Sequence, residues 1–534
     1  MTTVTVRRAV HEIMAFHGMT TIFGNPGSNE LPFLKDLPAR YILGLHEAAV
    51  VAMADGHSMI TNRPTLVSLH AASGTGNGLG ALTNSAISKS KLVITAGQQV
   101  RDMIGPEVML ANVEAPKLAE PLVHQSLEPL SAHDVPRAFS QSVFASEHGP
   151  VYLSVPYDDW DAEVPADRID QLSRHVTSAR TVDPTVVAEL AQKLRAATSP
   201  VLVLGPEADD ERVWDTTIAL SEAFDLPVWA APSLSRLPFP NQHPNFRGVL
   251  PAGIAPIGQI LGSHDLALVI GAPVFRYHQW QPGQYLPETT ELIQIGEDTA
   301  AAARAPFGDA LIADPVQTLL ALAKTLDVAD PAAEPGPARA IAAAATSATD
   351  GVLHPEEVFA GLRETMPAET RYVVESTSTN AAFWAQMDLE LPGSYFFPAS
   401  GGLGWGLPAS MGVALADPIR PVVAIIGDGS AHYSISALRT AVEENIGVII
   451  VLLRNGTYGA LDWFADMLDV DKAPGLDLGE VDFVSIAAGY GMHAEHAGSA
   501  DGFDRALSEA IDRAGQGRAS LIEVNTEKTR PEKE

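Results

Sequence analysis

Asp428 and Asn455 stand at two chain positions where a metal-held anion is readily gripped. Asp428 lies in Gly427-Asp428-Gly429-Ser430, at the end of the apolar run Val422-Val423-Ala424-Ile425-Ile426. Asn455 lies in Arg454-Asn455-Gly456-Thr457-Tyr458, at the end of a second run from Val448 to Leu453. Both runs are β-branched enough to predict buried parallel strands, joined by a helix with Ile435, Leu438, Ala441 and Val442 on one face. Ligands of an open α/β sheet sit beyond the carboxyl ends of the strands, so the carboxylate and the amide arrive side by side. Mg²⁺ prefers oxygen ligands; Asp428, the Asn455 amide and the Thr457 carbonyl supply three, and phosphate oxygens can complete the shell. A helix beginning after Ser430 aims its free N–H groups at the same place. Asp-Gly alone usually marks a helix cap. The second turn after the second strand shifts the balance to a diphosphate held through a divalent metal.

The first third offers acid–base groups in the same manner. Three predicted strands, Thr20 to Phe23, Tyr41 to Leu45 and Leu66 to Leu69, end near Ser28, Glu47 and His70, so a hydroxyl, a carboxylate and an imidazole face one crevice. Glu47 opens the small-residue helix Ala48 to Met59, where an acid suits the helix dipole, but its apolar neighbours predict partial burial. His70 ends an apolar strand, a common place for a core histidine. His278 stands in the aromatic run from Val274 to Trp280, which packing alone could explain. Ser28, in the Gly24-Asn25-Pro26-Gly27-Ser28-Asn29 loop, is a turn residue by default. No Gly-x-Ser-x-Gly, Gly-x-Gly-x-x-Gly after a strand, Gly-x-x-x-x-Gly-Lys or His-Glu-x-x-His occurs, which argues against serine hydrolysis, dinucleotide binding, P-loop chemistry and a zincin site. The glycine-rich segments 71 to 80 and 401 to 406 read as loops that permit close backbone approach.

Behind these groups stand 534 residues, too many for one core. Alternating strands and helices predict an α/β class with three doubly wound parallel-sheet domains, at 1–180, 182–328 and 353–526, separated by polar or Ala/Pro-rich linkers. With 65 acidic against 34 basic residues, the formal charge of −31 argues against nucleic acid or an anionic membrane as partner. Anionic ligands must then be held by local devices. Zero cysteines exclude disulfides and thiol catalysis. No apolar window reaches a membrane span and the start carries no signal-like segment, so a cytoplasmic location is expected.

Several of these segments, in order and with near-equal spacing, resemble the benzoylformate decarboxylase family of thiamine diphosphate (ThDP) enzymes. They are Gly24 to Phe33, Leu69-His70, Phe275-Arg276-Tyr277-His278, Glu375-Ser376-Thr377-Ser378-Thr379 and Gly427-Asp428-Gly429-Ser430. The metal-binding signature departs at Arg454, where relatives often carry an additional asparagine; the ligating one, Asn455, is present. The resemblance implies a pyrimidine-binding, a central and a diphosphate-binding domain, and a homotetramer, a dimer of dimers, with active sites at subunit interfaces. It implies that Glu47 activates the cofactor and that Ser28, His70 and His278 face the substrate. Asp428, Asn455 and Thr457 would hold Mg²⁺. Thr377, Ser378, Gly427, Gly429, Ser430 and Tyr458 would line the diphosphate, and Leu403 would prop the cofactor. Leu110, Phe397, Ala460, Leu461, Phe464 and Leu476 would form an aromatic pocket. A second family cation site, near 117 to 120, meets Lys117 where an oxygen ligand is needed. The implied reaction is non-oxidative decarboxylation of an aromatic 2-keto acid, benzoylformate above all, within mandelate breakdown. Alternatives are a branched-chain, phenylpyruvate or acetolactate-type ThDP enzyme, or a non-catalytic phosphate-binding α/β protein.

Overall fold

The computed structural model describes residues 2–166, 172–176, 181–276, 278, 283–328, 338–470 and 473–528. They divide into two compact units. The first contains 1–176, 345–381 and 398–534; the second contains 177–344 and 382–397.

The first unit holds two parallel sheets. In the N-terminal sheet, six strands numbered in chain order lie 2-1-3-4-6-5: Arg40–Leu43, Thr21–Gly24, Thr65–Leu69, Leu92–Gln98, Val151–Pro156 and Gln125–Leu127. Its central strands are apolar on both faces because helices cover both, as a parallel sheet requires. Val6, Val10, Ile13 and Met14 of the helix Val6–Phe16 pack with Phe33, Phe139 and Trp160 under one face. The three strand spans expected from sequence, Thr20 to Phe23, Tyr41 to Leu45 and Leu66 to Leu69, are one to two residues out at most of their ends. Within the acidic stretch after Pro156, Glu163–Pro165 pairs antiparallel with Thr3–Thr5.

Five strands of the C-terminal sheet lie in the order Arg371–Glu375, Val422–Gly427, Val448–Arg454, Ser520–Asn525 and His493–Ala497, all parallel. The last two are interchanged, as in the N-terminal sheet, so the two sheets share one winding. His493–Ala497 escaped the sequence reading because its two histidines and one glutamate give it no apolar run. The helix expected between strands Val422–Gly427 and Val448–Arg454 is two short helices, Asp428–Ser434 and Ala437–Glu443.

Segment 71 to 80, read as a loop, is the first half of a helix, Ala71–Ser88. Its glycines lower helix propensity, but they let it lie against the Glu47–Thr61 helix: a Cβ at Gly74 would stand 3.1 Å from Glu47 Oε1. Tertiary packing overrides local preference here. Segment 401 to 406 turns into a further helix, Gly406–Ala416, which packs on Glu47–Thr61 and receives an anchor: the Trp405 indole N–H donates to buried Asp55 at 2.9 Å.

The second unit is built on one sheet of order 3-2-1-4-5-6: Phe246–Val249, Val228–Ala230, Pro200–Leu204, Leu266–Ile270, Glu291–Gly296 and Asp309–Ile312. Its first strand and fourth strand are neighbours at the topological switch point, where such a sheet ordinarily opens a crevice. Here the crevice is filled by backbone. Gly205 N–H donates to Ile270 O at 2.8 Å, Glu207 N–H to Gly271 O at 3.3 Å, and a Cβ on Gly205 would meet Gly271 O at 2.2 Å.

Candidate active site

At the end of strand Val422–Gly427, Asp428 is 5 % exposed and accepts the Gly429 N–H at 2.9 Å and the Gly456 N–H at 2.7 Å. Burial pushes its carboxyl above the usual range, with these backbone donors opposing. The adjacent strand, Val448–Arg454, delivers Asn455 beside it. Asn455 Oδ1 accepts the Thr457 N–H at 3.0 Å, and its amide nitrogen lies 3.5 Å from Ser378 Oγ. Asp428, Asn455, Gly456 and Ser378 thus converge from three strand ends, and Tyr458 lies over Gly429 at 2.6 Å from where a Cβ would be. A buried carboxylate beside an amide oxygen, with hydroxyls at Ser378 and buried Ser430, is a donor set that fits a hard divalent ion and a phosphate.

The pocket candidates follow from this turn. Thr457 and Tyr458 bind the Leu476 carbonyl at 2.8 and 2.9 Å, which brings Leu476 to the start of the helix Gly459–Met467. That helix carries Ala460, Leu461 and Phe464, and none of its residues is buried. Leu461 is exposed on this helix, while Ala460 and Phe464 are half-buried, Phe464 against the Trp463 ring with centroids 4.7 Å apart. Leu110 adopts a left-handed φ of 67°, and its loop is pinned by buried Gln98, which donates to Asn112 O at 2.6 Å. Gln98 drew no notice in the sequence, being one polar residue at a strand end.

The loop bearing Leu403 is fixed from below. Glu375, fully buried, accepts the N–H groups of Gly404 at 2.6 Å and Gly406 at 2.5 Å. Burial pushes its carboxyl up to about 7, against the pull of those donors. Thr377, just beyond, is exposed.

At the N-terminal sheet, Glu47 opens its helix at 6 % exposure, deeper than expected, and its oxygens accept from Asn25 Nδ2 at 3.2 Å and Asn77 Nδ2 at 3.0 Å. The same glycine separates Glu47 from His70: the hypothetical Gly74 Cβ lies 3.3 Å from His70 Cβ. His70 Nδ1 meets Glu30 Oε2 at 2.8 Å. Ser28 Oγ, exposed at the turn, donates to Asn29 Oδ1 at 3.3 Å. Glu30 went unassigned in the sequence because an acid in a Pro/Gly turn reads as solvated; its 3 % exposure reveals otherwise.

His278 and Phe397 belong to the second unit. His278 is exposed, and its backbone N–H donates to Ala252 O at 3.0 Å; Tyr277, Gln279 and Trp280 lie outside the described residues. Phe397 stacks on Tyr395 with centroids 6.4 Å apart. Lys117 is exposed and ion-paired with Glu114 at 2.5 Å, so a cation, not an oxygen ligand, occupies that position.

Models of the thiamine pyrophosphate enzymes match the chain over three segments: the N-terminal TPP binding domain at 4–118, the central domain at 187–322 and the C-terminal TPP binding domain at 376–524. Benzoylformate decarboxylase of Pseudomonas aeruginosa is 52 % identical over 532 residues, covering 99 % of this chain and 100 % of that protein. Among solved structures, the thiamine diphosphate-dependent 4-hydroxybenzoylformate decarboxylase of Rhodococcus jostii RHA1 is 50 % identical, with a TM-score of 0.94 over 98 % of this chain and 99 % of that one. Benzoylformate decarboxylase of Polynucleobacter necessarius is 37 % identical with a TM-score of 0.92, over 98 % and 99 % of the two chains. By full-length sequence and by fold, the chain belongs to the benzoylformate decarboxylase family of thiamine diphosphate-dependent 2-keto acid decarboxylases.

Proposed function

We propose that this chain converts benzoylformate to benzaldehyde and CO₂ without net oxidation, using ThDP and Mg²⁺. The observation that carries this reading is the 52 % identity to a benzoylformate decarboxylase along the whole chain. The apolar character of Leu110, Ala460, Leu461, Phe464 and Leu476 supports an aromatic ring as the part of the substrate to be enclosed.

The residues divide the work. Asp428, Asn455 and the Thr457 carbonyl hold the metal, and Thr377, Ser378, Gly427, Gly429, Ser430 and Tyr458 receive the diphosphate. Leu403, on the loop braced by Glu375, props the cofactor. When bound, ThDP supplies the electron sink that takes the pair left behind by departing CO₂. Glu47, whose oxygens accept from two asparagine amides, would share a proton with the cofactor's aminopyrimidine ring when ThDP is bound. Ser28 Oγ holds the substrate carboxylate, His70 delivers the proton that replaces CO₂ on the carbonyl carbon, and His278 assists binding and release. The overall balance is one 2-keto carboxylate and one proton giving one aldehyde and one CO₂.

A ring with a para-hydroxyl is the second reading, favoured by the 50 % identity to a 4-hydroxybenzoylformate decarboxylase. A homotetramer with active sites between subunits, a cytoplasmic location and a role in mandelate breakdown complete the proposal. Among the described residues no helix is long and apolar enough to cross a membrane. The test is turnover of a panel of 2-keto acids by protein reconstituted with ThDP and Mg²⁺. Benzoylformate or its 4-hydroxy derivative is expected to lead in kcat/KM, and a preference for pyruvate or a branched-chain 2-keto acid would overturn the aromatic assignment.

A further inference from the structure

Glu30 is the most heavily engaged buried acid of the N-terminal crevice. One oxygen, Oε2, lies 2.8 Å from His70 Nδ1 and accepts the Gly27 N–H at 2.8 Å. The other, Oε1, accepts the N–H groups of Gly97 at 2.9 Å and Ala71 at 3.3 Å. Three backbone N–H groups each supply a hydrogen to an oxygen lone pair of this one carboxylate, and the His70 ring nitrogen stands at the fourth contact. The surrounding chain is shaped to admit this pair. A Cβ on Gly27 would fall 2.0 Å from the His70 ring, and one on Gly97 would fall 2.2 Å from Glu30 Oε1. Ala71, which follows His70 and donates to Glu30, holds a left-handed φ of 45°, a strained state that persists only where its surroundings enforce it.

We infer that Glu30 is a positioning residue: it keeps the His70 proton on Nδ1 and leaves Nε2 as the nitrogen that exchanges protons in the crevice. The inference rests on the proposed role of His70 as proton carrier and adds the group through which that role is set. Protonated at both nitrogens, His70 gives its Nε2 proton to the substrate carbon and remains neutral with Nδ1–H still donated to Glu30; solvent then restores the Nε2 proton. A carboxylate on Nδ1 fixes both tautomer and ring angle. The other titratable groups near the ring are few. Glu47 faces it across Gly74, while the phenols of Tyr41 and Tyr152, near Glu30, are pushed up by burial, that of Tyr152 to about 12, and stay neutral.

The test is a double-mutant cycle on the ThDP- and Mg²⁺-loaded enzyme. Glu30→Gln places amide hydrogens opposite Nδ1, so kcat is expected to fall about 10²-fold, with ThDP affinity, read by fluorescence titration, held within a factor of about two. In a His70→Ala background the same change is expected to cost under about 2-fold, since its route of action is gone. Glu30→Asp, which keeps the charge, should recover most of the loss, and if Glu30→Gln fails to fold, neutron diffraction decides alone. Neutron diffraction of the unmodified protein is expected to place the proton on Nδ1. An equal loss in both backgrounds, or a proton on Nε2 with Nδ1 bare, overturns the inference while leaving His70 as proton carrier. Full turnover by His70→Ala overturns the reading beneath it.

Discussion

The central sheet and the N-terminal sheet are both open, parallel and doubly wound, and both have a switch point where the strand order reverses. They use it in opposite ways. In the central sheet the two strand ends bond to each other through backbone, with Gly205 against Gly271. In the N-terminal sheet the corresponding ends are bridged by side chains, Glu30 to His70, with Glu47 alongside. Topology supplies the opening; the residues that follow each strand decide whether it is sealed or furnished. The C-terminal sheet, wound like the N-terminal one, is furnished too, with Asp428 and Asn455.

Three changes sharpen that contrast. Removing the carboxylate proposed to hold the metal, by Asp428→Ala, is expected to lower ThDP affinity at fixed Mg²⁺ by a hundredfold or more, about 3 kcal/mol, measured by calorimetric titration. Filling the sealed crevice by Gly205→Ala is expected to cost about 1–3 kcal/mol of stability, because a Cβ must push backbone apart. Thermal unfolding should register that loss while the affinity for ThDP stays at the parent value. The third concerns Glu375, whose carboxyl is raised to about 7 by burial, above an unfolded value of 4.5. Between those two pH values the folded chain keeps a proton that the unfolded chain has lost, so this group makes stability fall as pH rises through the window, by on the order of 3 kcal/mol. In Glu375→Gln that contribution is absent. Its midpoint of thermal unfolding, followed from pH 4.5 to 7.5, should decline less steeply than that of the parent.

How far the sequence disclosed this arrangement depended on the signal each residue leaves. Asp428 and Asn455 were legible because each ends an unbroken apolar run and begins a turn, a pattern that places both at strand ends without any tertiary information. Glu47 and His70 were legible for the same reason. Glu30 was not, since its burial results from chain segments at Gly27, Ala71 and Gly97 closing around it. The helix Ala71–Ser88 was misread because glycine and small residues weaken helix preference locally, while contact with the Glu47–Thr61 helix restores it. Gln98, Glu375 and Asp55 share one property: each is a buried polar side chain whose partners are mostly backbone or distant in sequence, which spacing along the chain cannot register.

The measurement that bears most directly on the contrast is a side-by-side titration of ThDP, with Mg²⁺ present, into the apo forms of the parent, Gly205→Ala and Asp428→Ala. Matching affinities are expected for the first two and a hundredfold or greater weakening for the third. Parent-like binding by Asp428→Ala, or loss of binding by Gly205→Ala, would contradict that contrast.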